Sequence, residues 1–277
     1  MTKWVRVSRR ARCPICESDS WCGVSADGSV VHCMRSQSDH VVEKGGWIHR
    51  LTDPKPIYEK PVREAEPCKD FGAYIKDLRQ RGSPSQLELL AGRLGVSAIS
   101  LDSLSACYSV KDRAWAFPMR DALENVIGVR LRADNGTKWA VKGSKQGLFY
   151  DTFLAPDKDR ILYVCEGPTD TAAMLTLGLP AVGRAACLGQ ADLLKTLCSA
   201  RGFRKIVVVA DNDEAKARPD GSFWYPGREG AERLIKELRM WSKLILTPAK
   251  DIRAWLQSGA TIESLRCLEN QQVWRGA

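Results

Sequence analysis

Four cysteines fall between positions 13 and 33, spaced C-x2-C-x5-C-x10-C as Cys13, Cys16, Cys22 and Cys33. A C-x2-C turn lets two thiolates reach one ion, and two more from a facing ribbon complete the tetrahedron that zinc adopts in structural sites, with no coordination position left open. His32 and His40 are rival donors, because imidazole serves zinc as well as sulfur does. Four sulfurs are favoured, since Cys22 and Cys33 bracket a hairpin over 24–31 that turns at Ala26-Asp27-Gly28. Non-ligating thiols, or one disulfide, are the bland reading and the weaker one for this spacing. Around the cluster lie Arg6, Arg9, Arg10 and Arg12 with Trp4, Trp21 and Trp47. Basic and aromatic side chains together suit single-stranded nucleic acid, phosphates outside and bases stacked. A solvated charge run over tryptophans that fill a tiny core explains them nearly as well.

The second group is acidic. The apolar run 161–165 leads into Glu166-Gly167-Pro168-Thr169-Asp170, the run 206–210 into Asp211-Asn212-Asp213, and Lys250-Asp251 follows a third run at 243–247. In an extended chain alternate residues share a side, so Asp211 and Asp213 can share divalent cations. Oxygen ligands beside charged phosphates suit magnesium or manganese. Acids also cap the helices that follow them. Thr169 or Asp170 fits that role, but acids at three strand ends exceed it.

The elements that must position these groups can be read around them. The chain has 277 residues, about two domains by length. Residues 1–50 are cysteine-rich, and 51–69 carry four prolines with alternating charges, the composition of an extended linker. Helices are predicted over 71–80 and 84–94, the second with Leu87, Leu90 and Leu94 on one face. Short strands are predicted at 114–117, 126–132 and 138–141, separated by Asp/Asn/Gly turns. From Arg160 onward, strand-like apolar runs alternate with helix-compatible segments, which predicts a parallel sheet covered by helices. Functional groups then belong at the carboxyl ends of its strands.

Composition bounds the function. Lys plus Arg exceed Asp plus Glu by 42 − 33 = 9, which favours a polyanionic partner. No apolar run reaches 18 residues, and the basic N-terminal stretch lacks the apolar core of a signal peptide. A membrane span and export are therefore not expected.

The acidic pattern resembles a TOPRIM domain, the catalytic fold shared by DnaG-type primases, topoisomerases and some nucleases. The resemblance rests on Glu166-Gly167 after one strand, Asp211-Asn212-Asp213 after a later one, and Lys250-Asp251 leading into a helix, over roughly residues 160–265. Upstream, the stretch from Trp115 through Arg130, Arg132, Lys138, Lys142 and Lys145 to Phe149 looks like the basic subdomain that precedes TOPRIM in those primases. The order of zinc ribbon, linker, basic subdomain and TOPRIM is that of a primase. The segments EGPTD and KDIRAWLQSGAT are especially similar to those of bacteriophage and mobile-element primases. Three features depart from the family: four cysteines where a histidine is usual, Arg253 where a second Asp is frequent, and an insertion at 214–228, read as a loop touching template or partner.

The resemblance implies a four-part architecture: a zinc ribbon at 1–50, a linker at 51–69, a small α+β basic subdomain at 70–155 and a TOPRIM domain at 156–277. It implies a DNA primase that makes short RNA primers from nucleoside triphosphates on single-stranded DNA, by two-metal nucleotidyl transfer. Asp211 and Asp213 would bind magnesium or manganese, Asp251 would be a weaker third ligand, and Glu166 a ligand or proton acceptor, with Asp170 beside them. Arg130, Arg132, Lys138, Lys142 and Lys145 would hold template and triphosphate, Arg132 and Lys138 matching the family pattern in position. The segment 142–147 fails the Walker A spacing, so unwinding is assigned to a separate replicative helicase. A bacterial cytoplasm is the expected setting, with a phage or mobile element as the source. A TOPRIM nuclease and a non-catalytic zinc-ribbon binding protein are the competing readings; the basic subdomain opposes the first and the set of acids the second.

Overall fold

The computed structural model describes residues 4–43, 45–52, 70–156, 159–187, 189–217 and 222–276. The chain divides into two compact units, Met1–Cys68 and Lys69–Ala277. All but the first two residues of the expected linker lie outside the described residues.

The first unit is an antiparallel sheet of β1 (Trp4–Arg6), β2 (Gly23–Ser25), β3 (Val30–Cys33) and β4 (Trp47–Arg50), in that order. The expected hairpin is β2–β3: Val24 pairs with Val31, and Gly28 takes the left-handed φ of 74° that the turn requires. Its buried core is Val24 and Val31 with Cys13, Cys22 and Cys33. So few apolar groups cannot hold about 50 residues folded without help.

The second unit opens with α1 (Phe71–Arg81), α2 (Pro84–Leu94) and α3 (Ala98–Ser103). Local chemistry sets their ends. Asp70 caps α1 by accepting from the Ala73 N–H at 2.9 Å. Ser83 and Gln86 form a capping box before α2, with Pro84 at its first position. Five strands follow, β5 (Cys107–Ser109), β6 (Ala114–Arg120), β7 (Val126–Arg132), β8 (Lys138–Ala140) and β9 (Leu148–Tyr150). The chain then alternates through β10 (Ile161–Glu166), α4 (Gly167–Thr176), β11 (Ala181–Arg184), α5 (Ala191–Arg201) and β12 (Lys205–Ala210). A ribbon of β13 (Lys216–Ala217) and β14 (Phe223–Trp224) precedes α6 (Pro226–Leu238), β15 (Trp241–Leu246), α7 (Ile252–Gln257) and α8 (Ile262–Asn270).

One nine-stranded sheet runs through this unit in the order β15-β12-β10-β11-β9-β6-β7-β8, with β5 paired to β6. The strands β15, β12, β10 and β11 are mutually parallel; the others pair antiparallel, β9 joining the two halves through β11. The expected division at 155–156 falls between β9 and β10, where the connectivity changes from antiparallel to parallel. Alternation along the parallel strands feeds two cores. Tyr163, Cys165, Val207 and Val209 pack on one face with α2, α3 and α4, while Leu162, Val164, Val208 and Ala210 pack on the other with α5 and α6. Burial on both faces is why β10 and β12 read as unbroken apolar runs, with their carboxylates at or just beyond the carboxyl ends.

Candidate active site and metal centre

In the first unit Cys13, Cys16, Cys22 and Cys33 present sulfurs that all lie within 4.8 Å of one another. The Cys16 and Cys22 sulfurs are 3.7 Å apart. Zn–S bonds of about 2.3 Å in a tetrahedron place sulfurs about 3.8 Å apart, whereas a disulfide needs about 2 Å. Backbone N–H groups orient the donors, Met34 donating to Cys22 Sγ at 3.4 Å and Ser36 to Cys33 Sγ at 3.3 Å. Burial pushes the Cys13 thiol up to about 12. At Cys33 burial also acts upward, but N–H donors from Arg35 and Ser36 outweigh it and bring the thiol down to about 6. A Cys33 sulfur biased toward thiolate, beside Cys13 and Cys22 sulfurs that burial raises, is a set that a cation would complete. The histidines stand aside: His32 Nε2 bonds the Gly45 carbonyl at 2.8 Å, and His40 is exposed. Of the aromatic residues nearby, Trp21 is 78% exposed with a left-handed φ of 68°, and Trp4 packs edge-on against His32.

In the second unit the parallel strands deliver the acids to one edge. Glu166 ends β10, and Gly167 takes φ 74°, turning the chain directly into α4, whose first turn carries Asp170. Asp211 and Asp213 follow β12, and that loop is fastened to the one after β15: the Asn212 N–H donates to the Lys250 carbonyl at 2.8 Å, and the Thr247 N–H to Ala210 O at 3.3 Å. Asp251 caps α7, accepting from the Ala254 N–H at 2.6 Å, so capping belongs to this acid rather than to Thr169 or Asp170. Asp170 accepts from the Arg253 N–H at 3.4 Å, which binds α7 to α4.

The acids act on one another. Burial, with Asp170, Glu166, Asp251 and Asp213 adding like charge, pushes Asp211 up to about 8. Burial and Asp251 push Asp170 up to about 7 against the pull of Arg253 and Lys138. Burial raises Glu166 too, opposed by Arg184 and Lys138. Groups of one sign held together in a dry edge are poised to exchange protons for a divalent cation. Glu166 Oε1 is buried without a hydrogen-bond partner, which fits such an ion.

Of the five predicted cations, Arg132 and Lys138 face this edge. They are paired across β7 and β8; Lys138 acts on Glu166 and Asp170, and Asp170 and Asp251 act on Arg132. Arg130 donates from Nη2 to the Ala185 carbonyl at 2.8 Å, securing the turn after β11. Lys142 and Lys145 are exposed between β8 and β9. Two cations escaped sequence reasoning as site residues. Arg184 ends β11 directly opposite Glu166, is only 2% exposed, and holds the Cys187 carbonyl at 2.9 Å. Arg253 pairs with Asp251 at 3.5 Å. Each has a buried Nε with no hydrogen-bond partner. The signal for Arg184 was present in Ala181-Val182-Gly183-Arg184, a charge closing an apolar strand. A cavity of about 380 Å³ lined by Pro84, Leu87, Ile99, Tyr108 and Trp115 includes none of these groups.

Acids at the carboxyl ends of a partly parallel sheet, a basic antiparallel extension of that sheet and a four-cysteine ribbon define the class: this is the zinc-binding and TOPRIM fold of DnaG-type primases. The zinc-binding and RNA polymerase domains of the Aquifex aeolicus primase are similar over 98% of this chain and 79% of theirs, with 14% identity and a TM-score of 0.57. The E. coli primase catalytic core matches 73% of this chain and 79% of its own, with 15% identity and a TM-score of 0.54. A DnaG primase catalytic domain bound to single-stranded DNA matches 69% of this chain and 72% of its own, with 14% identity and a TM-score of 0.52. No protein-family model and no curated protein matches the sequence.

Proposed function

We propose that the chain is a DNA primase, joining ribonucleoside triphosphates into short RNA primers on single-stranded DNA. The observation that carries the reading is the mutual electrostatic pressure of Glu166, Asp170, Asp211 and Asp251 at one edge of a sheet with the primase-core fold. In the reaction a 3′-hydroxyl oxygen bonds to the α-phosphorus of the incoming triphosphate, the bond to pyrophosphate breaks, and the hydroxyl proton leaves. Asp211 and Asp213, with Asp251 as a third donor, would hold divalent cations. Magnesium or manganese bound there would supply Lewis-acid chemistry, lowering the pKa of the attacking hydroxyl and offsetting charge on the departing pyrophosphate. Glu166 is a further ligand or the proton acceptor, and Arg184 across from it favours its carboxylate form. Arg132 and Lys138 hold the triphosphate, while Lys142 and Lys145 meet template phosphates. Arg130 acts through the turn it secures.

Zinc in the four-cysteine site is structural, since all four donors are protein sulfurs. A single-stranded DNA template, a separate replicative helicase to expose it, a bacterial cytoplasm and a phage or mobile-element source complete the reading. They rest on the resemblance of EGPTD and KDIRAWLQSGAT and on the relatives above.

The test incubates the zinc-loaded full chain with single-stranded DNA, magnesium or manganese, and labelled ribonucleoside triphosphates, beside the Asp211→Ala/Asp213→Ala variant. Short labelled RNA, absent with the variant, is expected. Shortening of the template without synthesis would replace the reading by a nuclease, and binding with neither activity by an adaptor.

A further inference from the structure

The insertion after Asp-x-Asp carries a feature that this reading does not use. β13 and β14 pair antiparallel, Lys216 opposite Trp224 and Ala217 opposite Phe223. β14 continues through Tyr225 into α6, and Tyr225 is itself extended, with φ −112° and ψ 97°. Alternation therefore puts Phe223 and Tyr225 on one face. Phe223 is 65% exposed and Tyr225 48%. Among the described residues, no other two exposed large hydrophobic side chains stand two positions apart. The parts of these rings left in water contribute nothing to folding through burial, so their pairing calls for another use.

The ribbon is fixed beside the acidic edge. Gly227, two residues beyond Tyr225, lies so close to Asp211 that a Cβ on it would overlap the Asp211 carbonyl. Two residues of chain span at most about 7 Å. The Tyr225 N–H is held by Glu229 Oε1 at 3.0 Å, which sets where the extended segment ends and the helix begins. Residues i and i+2 of a strand are about 6.8 Å apart, two stacking separations of about 3.4 Å, so side chains rising parallel from that face leave a gap of the width of one planar heterocycle.

We infer that Phe223 and Tyr225 form a clamp that stacks an unpaired base of the single-stranded DNA at the acidic edge. The inference deepens the proposed function and takes the identity of the strand from it. Spacing for one flat group beside the acidic edge, in a chain of net charge +9, fits a nucleic-acid strand better than a protein surface, which would ask for a continuous apolar groove.

The test titrates the zinc-loaded full chain, without nucleoside triphosphates or added divalent cations, into fluorescent single-stranded DNA. The comparison is the same oligonucleotide with an internal run of abasic sites. Wild type is expected to bind the base-bearing strand roughly tenfold more tightly. Phe223→Ala/Tyr225→Ala should lose most of that preference while keeping the salt dependence of binding, because no phosphate contact is removed. Phe223→Trp/Tyr225→Trp should retain it, and melting curves should show every variant folded. A preference unchanged in the double-alanine variant, no preference in wild type, or an equal loss of affinity for both strands would overturn the clamp. A protein that discriminates as expected yet makes no primers would leave the clamp standing and remove the polymerase reading. Primer synthesis without discrimination would do the reverse.

Discussion

Asp211 is the residue on which the electrostatics of the site converge. Its carboxyl is raised to about 8 by burial and by four neighbouring acids, above the roughly 3.9 of an unfolded chain. A raised acid holds its proton in the native state where the unfolded chain has released it, so stability falls as pH rises between those values. The penalty is absent below about pH 4 and complete above about pH 8. In zinc-loaded protein without other divalent cations, Asp211→Asn should therefore leave the melting temperature unchanged near pH 4 and raise it by several degrees at pH 9. Thermal melts across pH check this, and added magnesium should shrink the difference. Arg184 is the counterpart. Arg184→Met removes the cation opposite Glu166, so the acidic limb of the synthesis pH profile should move up by about one unit, with Arg184→Lys restoring part of it. The acids were legible because they close apolar strands, and the same rule applied to basic residues finds Arg184. The choice of four sulfurs over His32 or His40 was open in the spacing alone; it needed the hairpin register and the Gly45 carbonyl to close it.

Among the elements, α7 separates capping from metal binding. Asp251 accepts the Ala254 N–H, and Asn caps as well as Asp does. Asp251→Asn should keep the stability of the fold while weakening divalent-cation binding, whereas Asp251→Ala should also cost about 1 kcal/mol. Chemical denaturation read beside metal titration distinguishes the two. Helix α2 was legible from its apolar stripe, and β7, β10 and β12 from their composition. The short strands β5, β9, β13 and β14 were not, because two or three residues carry no period and exist only through the partners that long-range pairing brings them.

For the whole molecule, the two units should respond differently to loss of zinc. The first has a core of two valines and three cysteines, so a chelator should unfold it, while the second keeps three apolar clusters of its own. Calorimetry should show one transition lost and the higher one unmoved; a second unit that melts earlier without zinc would contradict this. No helix in the described residues is long and apolar enough to cross a membrane. The order of modules was legible from motifs, but the continuity of one sheet from β8 to β15 was not, since the β9–β11 pairing that makes it joins residues too far apart for any local signal.

The central claim is that one sheet edge holds the reaction's divalent cations. Anomalous diffraction from manganese-soaked crystals of the full chain measures it directly. The account predicts manganese density between Asp211 and Asp213, within reach of Glu166, lost in Asp211→Asn. Manganese absent from that edge while bound elsewhere on the chain would contradict it.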